Sequence, residues 1–379
     1  MRSKLPSVGT TIFTVMSRMA HEYNAINLSQ GFPDFDCPEL LRERVAFYLN
    51  DHKNQYPPMA GVEPLRAQIA AKVSSLYGYS ADMDQEITVT SGATEALFDA
   101  IHACVTRGDE VIVFDPAYDS YEPAIALAGG ITVHIPLKLP DFSVDWDQVR
   151  DAINSRTRMI IINTPHNPSG AVLSEQDIQA LAQITRDTDI YVLSDEVYEH
   201  MVFDGGLHQS VLRHEELRQR SFAVFSFGKT YHATGWKLAY CIAPPKLTYE
   251  FRKVHQFVTF TSPSFIQYGI ADFMKDCPEH ATELPAFYEG KRDTFCQLLQ
   301  GSRFSFTPSR GTYFQLADYS AISDLDDMAF AQYLTKEVGV AAIPLSPFYD
   351  KAPDSALIRF CFCKDDSTLQ AASKLLREL

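Results

Sequence analysis

Seven short runs rich in apolar and β-branched residues punctuate the middle of the chain. They lie at 86–91 (EITVTS), 110–115 (EVIVFD), 131–137 (ITVHIPL), 159–164 (MIIINT), 190–195 (IYVLSD), 222–227 (FAVFSF) and 238–243 (LAYCIA). Several are apolar throughout rather than alternating, the pattern of strands covered on both faces. Helical patterns separate several of them. ATEALFDAIHACVTR (93–107) follows the first run, and SEQDIQALAQITRD (174–187) divides the fourth from the fifth. Ser174 stands where it can cap that second helix ahead of Glu175. Strand alternating with helix needs crossover connections, so the pattern predicts an α/β fold with a mostly parallel sheet. A short turn-rich link precedes the last run and allows it to run antiparallel.

From about residue 280 the pattern changes. FYEGKRDTFCQLLQG (287–301) predicts a helix ending at Gly301, and GTYFQLAD (311–318) and ALIRFCFC (356–363) predict short strands. The expected organisation is a large sheet domain over 45–279 and a smaller α+β domain built from 1–44 and 280–379. Composition leaves this picture unchanged: 46% hydrophobic and 21% charged residues are ordinary for a globular protein. The net charge of −15, with no basic run, argues against a nucleic-acid partner. No stretch approaches the roughly 18 apolar residues of a membrane span, and the N-terminus has no signal-like apolar core. The seven cysteines are scattered without a CxxC, which predicts a reduced, cytoplasmic protein. Cys361 and Cys363 share a strand face and read as small buried hydrophobes. No histidine stands at ligand spacing from them, and no metal is expected.

In an open parallel sheet, ligands bind beyond the carboxyl ends of the strands. The first run leads into Gly92-Ala93-Thr94 and a helix, where free N–H groups and the helix dipole suit a phosphate. The second ends in Pro116-Ala117-Tyr118 and the fourth in Pro165-His166-Asn167-Pro168. The fifth ends at Asp195, with Tyr198 close behind, and the sixth at Ser226-Phe227-Gly228-Lys229. A phosphate seat, a ring, an amide, a carboxylate with a phenol, and a lysine together suit a planar, phosphorylated, pyridine-type cofactor. Taken singly each has a plainer explanation: Lys229 as a solvated lysine, Asp195 as a helix cap, Tyr118 as a packing ring. Arg359 alone would read as a surface ion-pair partner. Five strand ends at once make independent coincidence a poor account.

The order and spacing of longer segments add a resemblance. INLSQGFPDF (26–35), NQYPPMAGVEPLR (54–66), TSGATEAL (90–97), FDPAYDSYEP (114–123), NTPHNPSG (163–170), SDEVYEHM (194–201), SFGKTYHATGWK (226–237), GVAAIPLSPFY (339–349) and IRFCF (358–362) run through essentially the whole chain. In this order they resemble the fold-type I, pyridoxal-phosphate-dependent aminotransferases of class I/II. Within that group the sequence is most similar to the kynurenine/glutamine and methionine aminotransferases.

The resemblance implies that Lys229 carries the cofactor and later moves the substrate's proton. Asp195 would pair with the pyridine nitrogen, and Asn167 and Tyr198 would hydrogen-bond the ring oxygen. Tyr118 would stack on the ring. Gly92, Ala93, Thr94, Ser226 and Lys237 would hold the phosphate, with Tyr56 reaching it from a second subunit of a homodimer. Arg359 would grip the substrate α-carboxylate with Gly31 closing from the other side, and Phe13, Phe32 and Phe260 would line the side-chain pocket. His166 and His232 are assigned packing only. The aspartate-specific branch has arginine where Lys237 stands, and no second arginine is placed for a side-chain carboxylate. The expected reaction is amino transfer from methionine, kynurenine, phenylalanine, tyrosine or glutamine to a 2-oxo acid. A cysteine-conjugate β-lyase on the same scaffold is the alternative, and a non-catalytic ligand sensor the more distant one.

Overall fold

The computed structural model describes residues 3–379. Its main sheet comprises β1 (Ile87–Thr90), β2 (Glu110–Asp115), β3 (Ile131–Pro136), β4 (Thr157–Asn163), β5 (Tyr191–Asp195), β6 (Ser221–Ser226) and β7 (Ala239–Ile242). Their spatial order is β1-β7-β6-β5-β4-β2-β3. Pairings from β6 through to β3 are parallel, whereas β7 runs antiparallel to both its neighbours.

The unbroken apolar runs have a direct cause. Ile112, Ile160, Ile162 and Val192 enter a core on one side of the sheet. Val111, Val113, Met159, Ile161 and Leu193 enter a second core on the other, against the helices Ala93–Cys104 and Pro245–Val258. Successive side chains point to opposite faces, so both parities must be apolar. The edge strand β3 is the exception and leaves most of its side chains partly exposed.

The helix after β1 stops at Cys104, short of the predicted 107, because Val105 turns extended. The N–H and hydroxyl of Thr106 then donate to the Asp109 carboxylate at 2.8 and 2.9 Å, closing a turn. The helix Glu175–Thr185 starts where Ser174 predicted, with Ser174 and Asp177 capping each other reciprocally.

In the C-terminal part, β8 (Phe314–Asp318), β9 (Ile343–Pro344) and β10 (Leu357–Cys361) form an antiparallel sheet in the order β9-β10-β8. The strand predicted from 311 starts only at Phe314, since Thr312 adopts φ +64° and breaks the extended backbone. The preceding helix is longer than its predicted 287–301, running from Glu279 to Leu299, and Gly301 turns the chain at φ +79°.

Ile26–Asn27 pairs in parallel with Val340–Ala341. Ile12, Met16 and Leu28 share a core with Leu284, Phe295, Phe330 and Phe360. We propose the two-part division on that packing. The helix Glu39–Asn50 crosses the expected cut at 44/45 and lies against the helix Ser264–Asp276, where Gly269 admits Val45 so closely that a Cβ would come 2.5 Å from its Cγ2. Among the described residues no helix is long and apolar enough to cross a membrane.

Candidate active site

The sheet register brings the chemistry to one edge. Thr90 and Ser226 both face Ala239, Val224 faces Asp195, and Asp195 faces Asn163. Because β7 is antiparallel, it begins at the edge where its neighbours end. Lys237, two residues before it, therefore arrives beside the ends of β1 and β6. A cavity of about 230 Å³ opens there. Gly92, Ala93, Thr94, Tyr118, Asn167, Asp195, Tyr198, Ser226, Lys229, Lys237 and Arg359 line it, together with Phe13 and Gly31.

Lys229 follows β6 on a single helical turn. Its Nζ donates to the Tyr313 hydroxyl at 2.7 Å and to the Gly31 carbonyl at 3.0 Å. Burial pushes its ammonium down to about 8; Cys363 and Cys361 act against that shift, and the charges of Arg359 and Lys237 act with it. A lysine so placed can lose its proton near neutral pH and act as a nucleophile or base.

Asp195 is buried at the end of β5. Burial lifts its carboxyl to about 6, while the Tyr121 hydroxyl, the Val197 N–H and the charge of Lys229 hold it down. The Tyr121 hydroxyl donates to Oδ2 at 2.6 Å. A desolvated carboxylate with so few donors strongly favours a cationic N–H partner, which fits a protonated pyridine nitrogen.

The turn at Gly92 opens the twelve-residue helix Ala93–Cys104. Gly92 sits at φ +89°, and a Cβ there would meet Lys237 Cε at 2.9 Å and Nζ at 3.0 Å. Only glycine leaves room for backbone N–H groups and the lysine ammonium to converge on one anion. Behind the turn, the Ser91 N–H donates to the Glu95 carboxylate, whose other oxygen lies 2.7 Å from His255 Nδ1. Burial opposes the charge on His255, yet the Asp99 carboxylate 3.6 Å away and the hydrogen bond to Glu95 raise it to about 9. The turn thus rests on a buried imidazolium.

Arg359 on β10 is fully buried. Its Nη1 donates to Asn167 Oδ1 at 2.7 Å and its Nη2 to the Ser29 carbonyl at 2.9 Å. The guanidinium lies 3.9 Å from the Phe314 ring centroid and 5.3 Å from that of Phe13. Its Nε is buried with no partner among the described residues. A buried guanidinium with an unpartnered N–H calls for an anion, and a carboxylate suits its planar fork. Since Oδ1 of Asn167 accepts from Arg359, the amide Nδ2 is left to donate into the cavity.

Three expected residues lie away from this cavity. Tyr56 is 85% exposed and meets Phe260 edge to face at 5.5 Å on the surface. The ring of Phe32 turns outward beneath Lys364 Nζ at 4.8 Å, which also donates to the Phe32 carbonyl at 2.7 Å. His166 and His232 do not line the cavity, and burial lowers both to about 4. His166 is held by Ser169 Oγ at 2.6 Å and the Pro116 carbonyl at 3.1 Å.

Sequence reasoning missed four neighbours. Tyr121 holds Asp195. Asn163 donates to the Asp195 carbonyl at 2.9 Å and accepts the Asn167 N–H at 2.8 Å. Tyr313 contacts Lys229, and Phe314 covers Arg359. Tyr121 and Asn163 lie inside segments quoted above and were within reach of a strand-end reading. Phe314 opens a strand of the other sheet with Tyr313 just ahead of it, and no local pattern points the two at Lys229 and Arg359.

Residues 23–375 match the family described as Aminotransferase class I and II. The chain is 54% identical to the methionine aminotransferase of Escherichia coli, over 100% of this chain and 98% of that protein. It is 33% identical to the kynurenine–oxoglutarate transaminase of Dictyostelium discoideum, covering 98% and 95% respectively. A crystal structure from Escherichia coli identified with methionine aminotransferase function superposes with a TM-score of 0.98 at 54% identity, covering 100% and 99%. The N-succinyldiaminopimelate aminotransferase of Mycobacterium tuberculosis gives 0.96 at 37%, with the same coverage. These likenesses favour transamination over the lyase and sensor readings. The chain is an enzyme of fold type I that catalyses transamination, and it belongs to the class I and II aminotransferase family.

Proposed function

We propose that this enzyme uses pyridoxal 5'-phosphate to move the amino group of an uncharged or aromatic amino acid to a 2-oxo acid. Methionine is the foremost donor, with kynurenine, phenylalanine, tyrosine and glutamine as further candidates. The observation that carries this reading is the make-up of the cavity's cations. Lys229, Lys237 and Arg359 are the only ones lining it among the described residues, and Arg359 lies between Phe314 and Phe13. One guanidinium serves the α-carboxylate and none remains for a second, so the side-chain space favours apolar groups.

When bound, the cofactor supplies an electron sink for the pair left on the substrate Cα. The chain's own residues do the rest. Lys229, whose buried setting lets it lose its proton near neutral pH, holds the cofactor covalently and then moves the proton away from Cα. Asp195 keeps the pyridine nitrogen protonated. The Asn167 amide and the Tyr198 hydroxyl donate to the ring oxygen, and Tyr118 covers the ring face. Ala93 and Thr94 N–H groups, the Ser226 hydroxyl and Lys237 hold the phosphate at the Gly92 turn. Arg359 orients the substrate through its carboxylate, with Gly31 on the opposite side.

The exposed Tyr56–Phe260 pair supports a homodimer in which these rings complete a neighbour's site. Seven unpaired thiols support a reducing, cytoplasmic setting.

An amino-acid by oxo-acid panel on the purified holoenzyme tests the specificity. Methionine and aromatic donors are expected to lead, and exclusive turnover of aspartate or glutamate overturns the reading. Gly92→Ala provides a separate check on the phosphate seat. Its Cβ displaces Lys237 and strains the backbone, so cofactor affinity is expected to fall about 10- to 100-fold, a cost of about 1–3 kcal/mol. Equilibrium binding followed by cofactor absorbance reads this directly; unchanged affinity removes the phosphate from this turn.

A further inference from the structure

Tyr313 touches the reacting lysine, yet none of the roles above uses it. It is 1% exposed and stands just ahead of β8, in the sheet that also carries Arg359. Its hydroxyl donates to the Gly31 carbonyl, an atom that can only accept. With its proton committed there, the hydroxyl meets Lys229 Nζ at 2.7 Å through a lone pair. The Gly31 carbonyl accepts from the same Nζ at 3.0 Å. Two acceptors therefore converge on one amine.

Close approach of the backbone makes this possible. A Cβ on residue 31 would lie 2.9 Å from Phe314 Cζ and 3.4 Å from Tyr313 Cε2, so a glycine brings the carbonyl to the lysine. The Tyr313 ring is itself held edge to face against Tyr198 at 5.1 Å and close to Tyr288 at 5.7 Å. Its hydroxyl has little freedom to turn away.

We propose that Tyr313 is a positioning residue for Lys229, whose hydroxyl and the Gly31 carbonyl together form a dock for the lysine's charged form. This rests on Lys229 being the reacting amine. When the lysine takes the proton from Cα it becomes an ammonium, and the dock holds that ammonium until the proton is passed on. Acceptors favour the charged form of an amine, so the dock opposes the burial that lowers Lys229 to about 8. The other charged or titratable groups facing Lys229 are Arg359, Lys237, Asp195, Cys361, Cys363 and Tyr198. The dock adds to their fields without replacing any of them. The Gly31 peptide also ties the lysine to the loop proposed to close on the substrate carboxylate.

The test is Tyr313→Phe in the full-length chain, which keeps the ring and removes only the hydroxyl. Competitive labelling of Lys229 with trace acetic anhydride across a pH series, read by mass spectrometry on cofactor-free protein, gives the lysine's pKa. It is expected to fall by about one pH unit, the size of a lost charge-assisted hydrogen bond. In the holoenzyme, kcat for methionine is expected to fall about tenfold with KM within about twofold. Fluorotyrosine at position 313 keeps the hydroxyl but weakens it as an acceptor, and should give a smaller fall in the same direction even if the phenylalanine variant folds poorly. An unchanged lysine pKa in either variant overturns the proposal. Because the labelling needs neither cofactor nor substrate, an enzyme that ignores methionine would count against the substrate reading and not against this one.

Discussion

Lys229→Ala is expected to lower methionine turnover by about 10⁴-fold, the upper range for loss of a positioned proton-transfer group. Sheet register sets where the lysine lies. β6 ends at Ser226, one helical turn carries the chain to residue 229, and the side chain enters the cavity between β5 and the opposing Tyr313. Burial lowers its pKa to about 8, so a substantial fraction is neutral at physiological pH. The sign matters for the companion variant. Lys229→Arg keeps a cation of similar reach, but a guanidinium stays protonated up to about pH 12 and cannot serve as a base. Arginine should therefore be as inactive as alanine, which separates a need for a base from a need for charge. Single-turnover absorbance with methionine measures both. A small primary amine in the buffer should restore part of the alanine variant's rate and none of the arginine variant's, whose side chain still fills the space. Alanine turnover within tenfold of the parent would remove Lys229 from the chemistry.

Much of this site was legible in the sequence because strand ends are local features. A run of β-branched residues marks a strand, and the residue after it lies at the sheet's edge whatever surrounds it. That logic reached Gly92, Tyr118, Asn167, Asp195 and Lys229 without a structure. It could not reach Tyr313 or Phe314, whose places depend on how the C-terminal sheet packs over the first. It also gave no role to Glu95 and His255, which pin the Gly92 turn from beneath and are 160 residues apart. The strands of the seven-stranded sheet were predicted to within two residues at every end, since all but the edge strand β3 are buried on both faces and the apolar signal is strong. Helix and strand ends were less legible. They depend on single backbone angles, such as Thr312 at φ +64°, which carry little hydrophobic signal. Tyr56 and Phe260 mark a different limit. Exposed on one chain, they gain a place in a site only if a second copy supplies the surface they meet.

Arg359→Lys is expected to lower kcat/KM for methionine by about 10³-fold, close to the 2–5 kcal/mol lost when one partner of a buried charge pair is replaced. Lysine keeps the charge but lacks the fork. In the parent, Nη1 reaches Asn167, Nη2 reaches Ser29, and Nε has no protein partner. A single ammonium cannot hold both acceptors and a carboxylate in one plane. The loss should therefore be confined to substrates with a free α-carboxylate, and methioninamide, already poor, should suffer less than tenfold. Equal losses for acid and amide would show that the variant damages the site generally. The Asn167 contact adds a sharper consequence. Arg359 fixes the amide so that its Nδ2 faces the cavity, and under the proposed roles carboxylate recognition and cofactor tuning would share that one hydrogen bond. Asn167→Ala and Arg359→Lys should then be non-additive. The double variant should be less impaired than the product of the single losses by about 1 kcal/mol or more, as expected for residues in direct contact. Strict additivity would mean that the 2.7 Å bond between them does not couple the two halves of the site.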